Sequence, residues 1–132
     1  MSSFQPGLVH TPVTPFTREA RIDYDGYGKL IEFHLRQGAE SLALPMHAGE
    51  SVSLTDEERR TLLEFAIRQV KGRVPVIAHV SDSGTAIAAA RARHAEQAGA
   101  AAIVATPAAR PSRPSIRFNA LVTPTIQRTV RG

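Results

Sequence analysis

At 132 residues the chain has the size of one domain and enough length to bury a core, and its apolar and charged fractions are those of an ordinary globular protein. It has no cysteine, which excludes disulfide frameworks, thiolate metal sites and cysteine nucleophiles. The formal charge of +4 is unevenly placed: through Glu96 there are 11 Lys and Arg against all 12 Asp and Glu, whereas beyond it come five Arg and no acidic residue, so the basic character belongs to the C-terminal stretch.

The opening Met1-Ser2-Ser3-Phe4-Gln5-Pro6 has neither a basic start nor an apolar h-region. No later run approaches the roughly 20 apolar residues that span a bilayer, so a cytoplasmic protein without membrane contact is expected. Leu8 to Thr14 is apolar and β-branched but interrupted by Pro12, and reads as a short first strand ending at Thr14-Pro15-Phe16. Asp23-Tyr24-Asp25 supplies cap chemistry for a helix in which Tyr27, Leu30, Ile31, His34 and Leu35 share one face, and Gly38 stops it.

Leu42-Ala43-Leu44 is short and does not alternate, as suits a strand buried on both faces. A polar loop with His47, Gly49, Glu50 and Ser51 follows. Thr55 then caps a second helix, with Glu58 three residues on to complete a capping box. Leu62, Leu63, Ala66, Ile67 and Val70 form its apolar stripe, with Arg59, Arg60, Glu64 and Arg68 mostly outside it, and Gly72 can take the left-handed conformation that ends a helix.

Val74-Pro75-Val76-Ile77-Ala78 is a third strand, with proline near its start, where a missing amide is most easily tolerated. After the turn Ser81-Asp82-Ser83-Gly84, an alanine-rich helix from Thr85 places Ile87, Ala90, His94 and Ala98 on a common face and closes at Gly99. Ala101 to Ala105 is a fourth strand, ended by Thr106-Pro107.

Strands near 41, 74 and 101 lie about one βαβ unit apart, a unit of some 30 residues, which predicts an α/β fold with a parallel sheet and right-handed crossovers. No GxGxxG follows the first strand and no GxxxxGK[ST] occurs anywhere, so neither nucleotide-binding version of the pattern is supported. From Ala108 the periodicity fails. The reading therefore divides the chain into 1–107 and an Arg- and Pro-rich tail, 108–132, largely irregular, in which Phe118, Leu121 and Val122 can support a short helical turn.

Several pieces occur together: Val13-Thr14-Pro15-Phe16 with Ile22-Asp23, Gly49-Glu50-Ser51 followed by Leu54-Thr55-Asp56-Glu57-Glu58-Arg59, Gly72 to Ala78, His94 to Ala100, and Thr106-Pro107. In this order and spacing the chain resembles the dihydrodipicolinate synthase and N-acetylneuraminate lyase family, the Schiff-base aldolases and lyases built on a TIM (β/α)8 barrel. The resemblance implies about the first four βα units of that barrel. It also implies a small 2-keto acid such as pyruvate as substrate, bound as an imine on a lysine, with no cofactor.

In that family the loop after the second strand reads GTTGE and grips the keto-acid carboxylate through amides and hydroxyls; here the same positions are Met46-His47-Ala48-Gly49-Glu50, so the amides persist and both hydroxyls are gone. The family's TPYY becomes Thr106-Pro107-Ala108-Ala109, without the tyrosine that reaches across its dimer interface. Its Schiff-base lysine stands on the sixth strand and its catalytic tyrosine at the end of the fifth. The only lysines here are Lys29, on the first helix, and Lys71, at the end of the second.

By this resemblance His47, Ala48 and Gly49 bind substrate, with His47 the candidate for proton transfer because imidazole titrates near neutrality. Glu50 is assigned to fixing the loop through bonds to nearby amides. His79 can converge with His47 and Glu50, a donor set that would suit zinc or iron in kind, but no recognised metal spacing is present and no metal is expected. His34 and His94 read as core or rim histidines, and His10 is given no role.

A complete barrel needs about 250 residues. The expectation is therefore an inactive N-terminal fragment, ended near residue 108 by a shifted frame or a premature stop. Two alternatives stay open: a non-catalytic half-barrel that forms homo-oligomers or aggregates through its open sheet edges, and a basic-tailed protein whose Arg110, Arg113, Arg117, Arg128 and Arg131 contact phosphates, although a solvated tail is favoured over nucleic acid.

Overall fold

Too short to alternate and apolar throughout, the runs around residues 42, 76 and 102 become parallel strands in the computed structural model, which describes residues 7–82 and 84–105 and the backbone of 121–124. In chain order the elements are β1 (Val9–His10), α1 (Tyr24–Arg36), β2 (Ser41–Leu44), α2 (Asp56–Val70), β3 (Val76–His79), α3 (Thr85–Ala98), β4 (Ala102–Ala105) and β5 (Leu121–Pro124). Sheet neighbours follow the chain, β1-β2-β3-β4-β5, the first four parallel and β5 antiparallel to β4. A strand order without reversal is that of a barrel wall; a doubly wound sheet would turn back at a switch point.

Successive side chains on a strand face opposite ways, and the two faces of this sheet differ accordingly. Leu42, Leu44, Val76 and Ala78 pack with Tyr27, Ile31, Leu62, Leu63, Ala66, Val70 and Ala95 of the helices. Ala43, Ile77, Ala102 and Val104 form a second, smaller buried cluster, with Met46 against it. Helix ends follow the local code. Asp23 caps α1 by accepting from the Gly26 amide, and Thr55 and Glu58 exchange both bonds of the capping box at 3.1 Å each. Gly38, Gly72 and Gly99 all take positive φ just past a helix.

The structure corrects four expectations. β1 is only two residues long, because Pro12 has no amide to offer the ladder, and the chain beyond it closes through a single Phe16–Ile22 bridge. On α3 the buried residue is Ala95, while Ile87 stays exposed; a helix made largely of alanine has no strong apolar stripe to set its rotation. His94, placed on the apolar face of α3 by sequence, makes a polar bond to Glu64 at 2.9 Å across the α2–α3 seam and takes the rim, not the core, of the two places expected for it. Arg59, placed outside the apolar stripe by sequence, is 7% exposed.

Fourth, Leu121 and Val122 extend as part of β5 instead of coiling. The registers Ala105↔Leu121, Val104↔Val122, Ile103↔Thr123 and Ala102↔Pro124 cover the β4 edge, and an edge strand is where a proline can sit. A stretch assigned to an irregular tail thus belongs to the sheet. Phe118 and the five tail arginines lie outside the described residues. No helix among the described residues is long and apolar enough to cross a membrane.

Candidate active site

β2 delivers the chain to the C-terminal end of the sheet at Leu44. From there it turns through a cis Leu44–Pro45 bond and two 3-10 turns, His47–Gly49 and Ser51–Ser53, before α2 begins. Glu50 joins the two turns in the left-handed conformation, φ 62° and ψ 34°. Its amide donates to the His47 carbonyl at 3.0 Å and its own carbonyl accepts from Ser53 at 2.9 Å. Glu50 therefore shapes the loop through its backbone; its carboxylate is exposed and bonds no described residue, contrary to the side-chain role expected of it.

Gly49 contributes in a different way. A Cβ there would lie 3.1 Å from the Pro12 carbonyl oxygen and 3.2 Å from Thr14 Oγ1, so the absence of a side chain lets the loop lie on the segment that leaves β1. Thr14 fastens that contact, its hydroxyl donating to the Gly49 carbonyl at 2.7 Å. The Thr14 and Gly49 pieces of the sequence pattern thus meet across 35 residues.

Arg59 is the buried tie at these strand ends that sequence reasoning missed. Its Nη1 donates to the Ser51 carbonyl at 2.9 Å and its Nη2 to the His79 carbonyl at 2.7 Å, so one guanidinium ties the loop after β2 to the end of β3. Only its place within the run Leu54 to Arg59 hinted at this. Arg91 makes a parallel tie on the same side: it pairs with Asp56 at 2.9 Å and Asp82 at 3.2 Å and donates to the Ser81 carbonyl at 2.7 Å, joining α3 to the start of α2 and to the turn after β3.

His79 closes β3 on the same face as Ile77, and its ring meets that of His47 edge to face, with centroids 5.8 Å apart. Burial pulls the His79 imidazole down to about 4, helped by the positive Arg59 and by His47, with a backbone hydrogen bond at Pro45 acting the other way. At neutral pH it is an uncharged ring beside an exposed one. His79 Nδ1 and Ser51 Oγ are buried and bond no described residue.

Of the residues singled out, His47, Ala48 and Gly49 stand together on the loop, with His79 brought beside them. Glu50 does not join the two histidines: among the described residues no three His, Asp or Glu side chains meet in a metal-binding group. Lys29 lies on α1, 79% exposed, and pairs with Asp25 at 3.1 Å. Lys71 ends α2 in a left-handed turn before β3, at the opposite end of the sheet from the loop. Neither lysine reaches the strand ends where Thr14, the loop and His79 meet.

A sequentially ordered parallel sheet, backed by helices and carrying its loop cluster at the C-terminal strand ends, is the wall of a (β/α)8 barrel. Residues 5–108 match the sequence model of the Dihydrodipicolinate synthetase family, and the chain belongs to that family. It is 37% identical over 117 residues to the 4-hydroxy-tetrahydrodipicolinate synthase of Xanthomonas axonopodis pv. citri, which covers 87% of this chain and 39% of that one. To the corresponding enzyme of Acetivibrio thermocellus it is 38% identical over 92 residues, 70% of this chain and 31% of the relative.

Among solved structures, dihydrodipicolinate synthase from Aquifex aeolicus superposes with a TM-score of 0.72 at 34% identity, over 75% of this chain and 33% of that one. A prophage protein of the same family from E. coli K12, solved with pyruvate, gives 0.76 at 30% identity, over 81% of this chain and 36% of that one. The chain thus spans between 31% and 39% of the length of these relatives, and its parallel strands are the first four of their barrel.

Proposed function

We propose that this chain supplies the N-terminal half of a keto-acid lyase barrel. In this reading His47, Ala48 and Gly49 hold the carboxylate of a small 2-keto acid such as pyruvate, and these 132 residues by themselves do not turn it over. The observation that carries the reading is the loop at 46–53, seated on Thr14 through Gly49 and tied by Arg59 to the end of β3, at the strand ends where barrel enzymes handle their substrates.

The Gly49, Glu50 and Ser51 amides already bond loop carbonyls, so the His47 and Ala48 amides and the His47 imidazole are the donors available to a carboxylate, and His47, exposed beside a neutral His79, can also carry a proton. Imine formation needs an amine that attacks the keto carbon. Lys29 is held on an outer helix and Lys71 at the far end of the sheet, so covalent capture is not expected.

Two measurements test this. Titration with pyruvate followed by NMR should shift the amides of 46–51, and unshifted amides at millimolar pyruvate would refute the binding half. Borohydride reduction in the presence of labelled pyruvate should leave the chain unlabelled; label on Lys29 or Lys71 would refute the inactive half.

A second reading, a non-catalytic half-barrel that pairs with a copy of itself or with another chain, draws on the outer edge of β1. Leu8, Val9 and Val13 are exposed there, and among the described residues no strand pairs with that edge.

A further inference from the structure

Four charged side chains on α1 take no part in the core or in the proposed chemistry. Asp25, Lys29, Glu32 and Arg36 stand four, three and four residues apart, which at 3.6 residues per turn lines them up in one stripe. The opposite face of α1 fixes where that stripe points. Tyr27 and Ile31 are fully buried, and the His34 ring shares a hydrogen bond with the His10 ring of β1, Nδ1 to Nδ1 at 2.9 Å. The stripe therefore faces solvent, with Asp25, Lys29 and Arg36 exposed and Glu32 half-buried.

Spacing and sign together make the stripe self-complementary. The intervals read the same from either end, and the signs, minus, plus, minus, plus, invert when the order is reversed. A two-fold axis through the midpoint sets Asp25 of one copy against Arg36 of the other and Lys29 against Glu32, each twice, whereas a parallel copy in register would set like charges together. These charges are available. Arg36 makes no hydrogen bond or ion pair with a described residue. Asp25 and Lys29 pair with each other at 3.1 Å in an exposed contact that a second copy can extend into a network. Glu32 accepts from Arg73 at 2.6 and 3.0 Å and from Gln69 at 2.8 Å, which holds the carboxylate in place and leaves one of its about four acceptor sites open.

We propose that the outer face of α1 is the interface of a two-fold dimer of this chain, the two α1 helices lying antiparallel with their charge stripes interlocked. Exposed ion pairs contribute little singly, and the flanks of the stripe add apolar contact. Phe33, 47% exposed, follows Lys29 by four residues on the same flank and in this array comes level with the stem of Lys29 from the second copy. On the other flank a groove of about 830 Å³ runs between α1 and α2, kept open by Gly28 and bounded by Tyr24 and Phe65. Arg36 of the second copy arrives at its Tyr24 end, where a guanidinium can lie against the ring. Such pairing closes at two copies, so growth beyond a dimer is left to the β1 edge. The α1 interface is a different surface from that edge and is independent of the lyase reading.

Sedimentation velocity of the full chain over rising concentration tests the proposal. The expected result is a monomer–dimer equilibrium in the wild type that weakens several-fold when salt is raised from about 0.05 to about 0.5 M, since the pairs are screened. Asp25→Arg and Arg36→Asp should each weaken the dimer by about tenfold, because each sets like charges together at both ends of the array. An equimolar mixture of the two variants should dimerise as the wild type does, and that recovery also shows both to be folded. If either variant does not fold, Lys29→Glu, which faces Glu32 of the second copy, is read in its place. The proposal is overturned by a wild-type chain that stays monomeric, by dimerisation that salt does not weaken, by single variants that dimerise as the wild type does, or by a mixture no tighter than its components.

Discussion

A guanidinium buried among main-chain carbonyls is stabilised only while those carbonyls accept its protons, and the reverse holds for the carbonyls. In Arg59→Ala the Ser51 and His79 oxygens lose their donor in a buried place and a space opens behind them. The expected loss is about 3 kcal/mol in urea unfolding, with Arg59→Lys recovering only part, because an ammonium cannot fork to two acceptors in the same way. A second residue-scale expectation concerns His79, whose folded value near 4 lies below its ordinary 6.5. The folded chain then binds fewer protons than the unfolded one. The stability that depends on the neutral ring is complete above about pH 6.5 and is lost as pH falls toward 4, by on the order of 3 kcal/mol. Chemical denaturation across that window should show the slope in the wild type and a flatter profile in His79→Gln. The loop itself was legible as Gly49-Glu50-Ser51, but which residue does what was not. The left-handed backbone falls on Glu50, and Gly49 contributes its bare face against Pro12 and Thr14.

Helix starts are decided within four residues, which is why the capping box of α2 was readable before any fold was known. Thr55→Ala should cost about 1 kcal/mol of unfolding free energy, Thr55→Ser much less, since the hydroxyl that accepts from the Glu58 amide is retained. α3 lacks such a side chain: Gly84 precedes it, the Gly84 amide donates to Asp82 Oδ1 at 2.8 Å, and the ties of Arg91 fix its position instead. Its rotation was not legible, because alanine on every side gives burial no preferred direction, and Ala95 faces the core only through contacts made elsewhere. β5 was missed for a related reason. Leu121-Val122-Thr123 has ordinary β propensity and no periodicity, and what makes it a strand is the β4 edge it pairs with.

At the scale of the molecule, five strands joined in chain order leave the outer edge of β1 unpaired among the described residues. With Val9 39% exposed, this edge combines free main-chain groups and apolar side chains, the combination that favours strand addition. Light scattering should show a mass that rises with concentration in the wild type, and Val9→Lys should carry the onset to roughly tenfold higher concentration, an edge lysine being a recurrent barrier to pairing. A wild-type chain that stays monomeric throughout would remove the self-associating reading and leave the keto-acid reading untouched. Spacing predicted a parallel sheet with right-handed crossovers but not its order, since such crossovers also build doubly wound sheets; a sheet running in chain order was what the resemblance to a barrel family implied.

Element types, their caps, the parallel sheet and the family were therefore set down in the order of residues alone, because each rests on interactions between neighbours in sequence or on a repeat that local spacing displays. Tertiary structure alone decided which buried groups meet. It brought Arg59 onto one carbonyl of the loop after β2 and one at the end of β3, His79 beside His47, His10 against His34, and β5 onto the β4 edge. Those encounters join residues 8 to 32 positions apart or main-chain groups with no sequence signature, and packing brings them together where no local rule does.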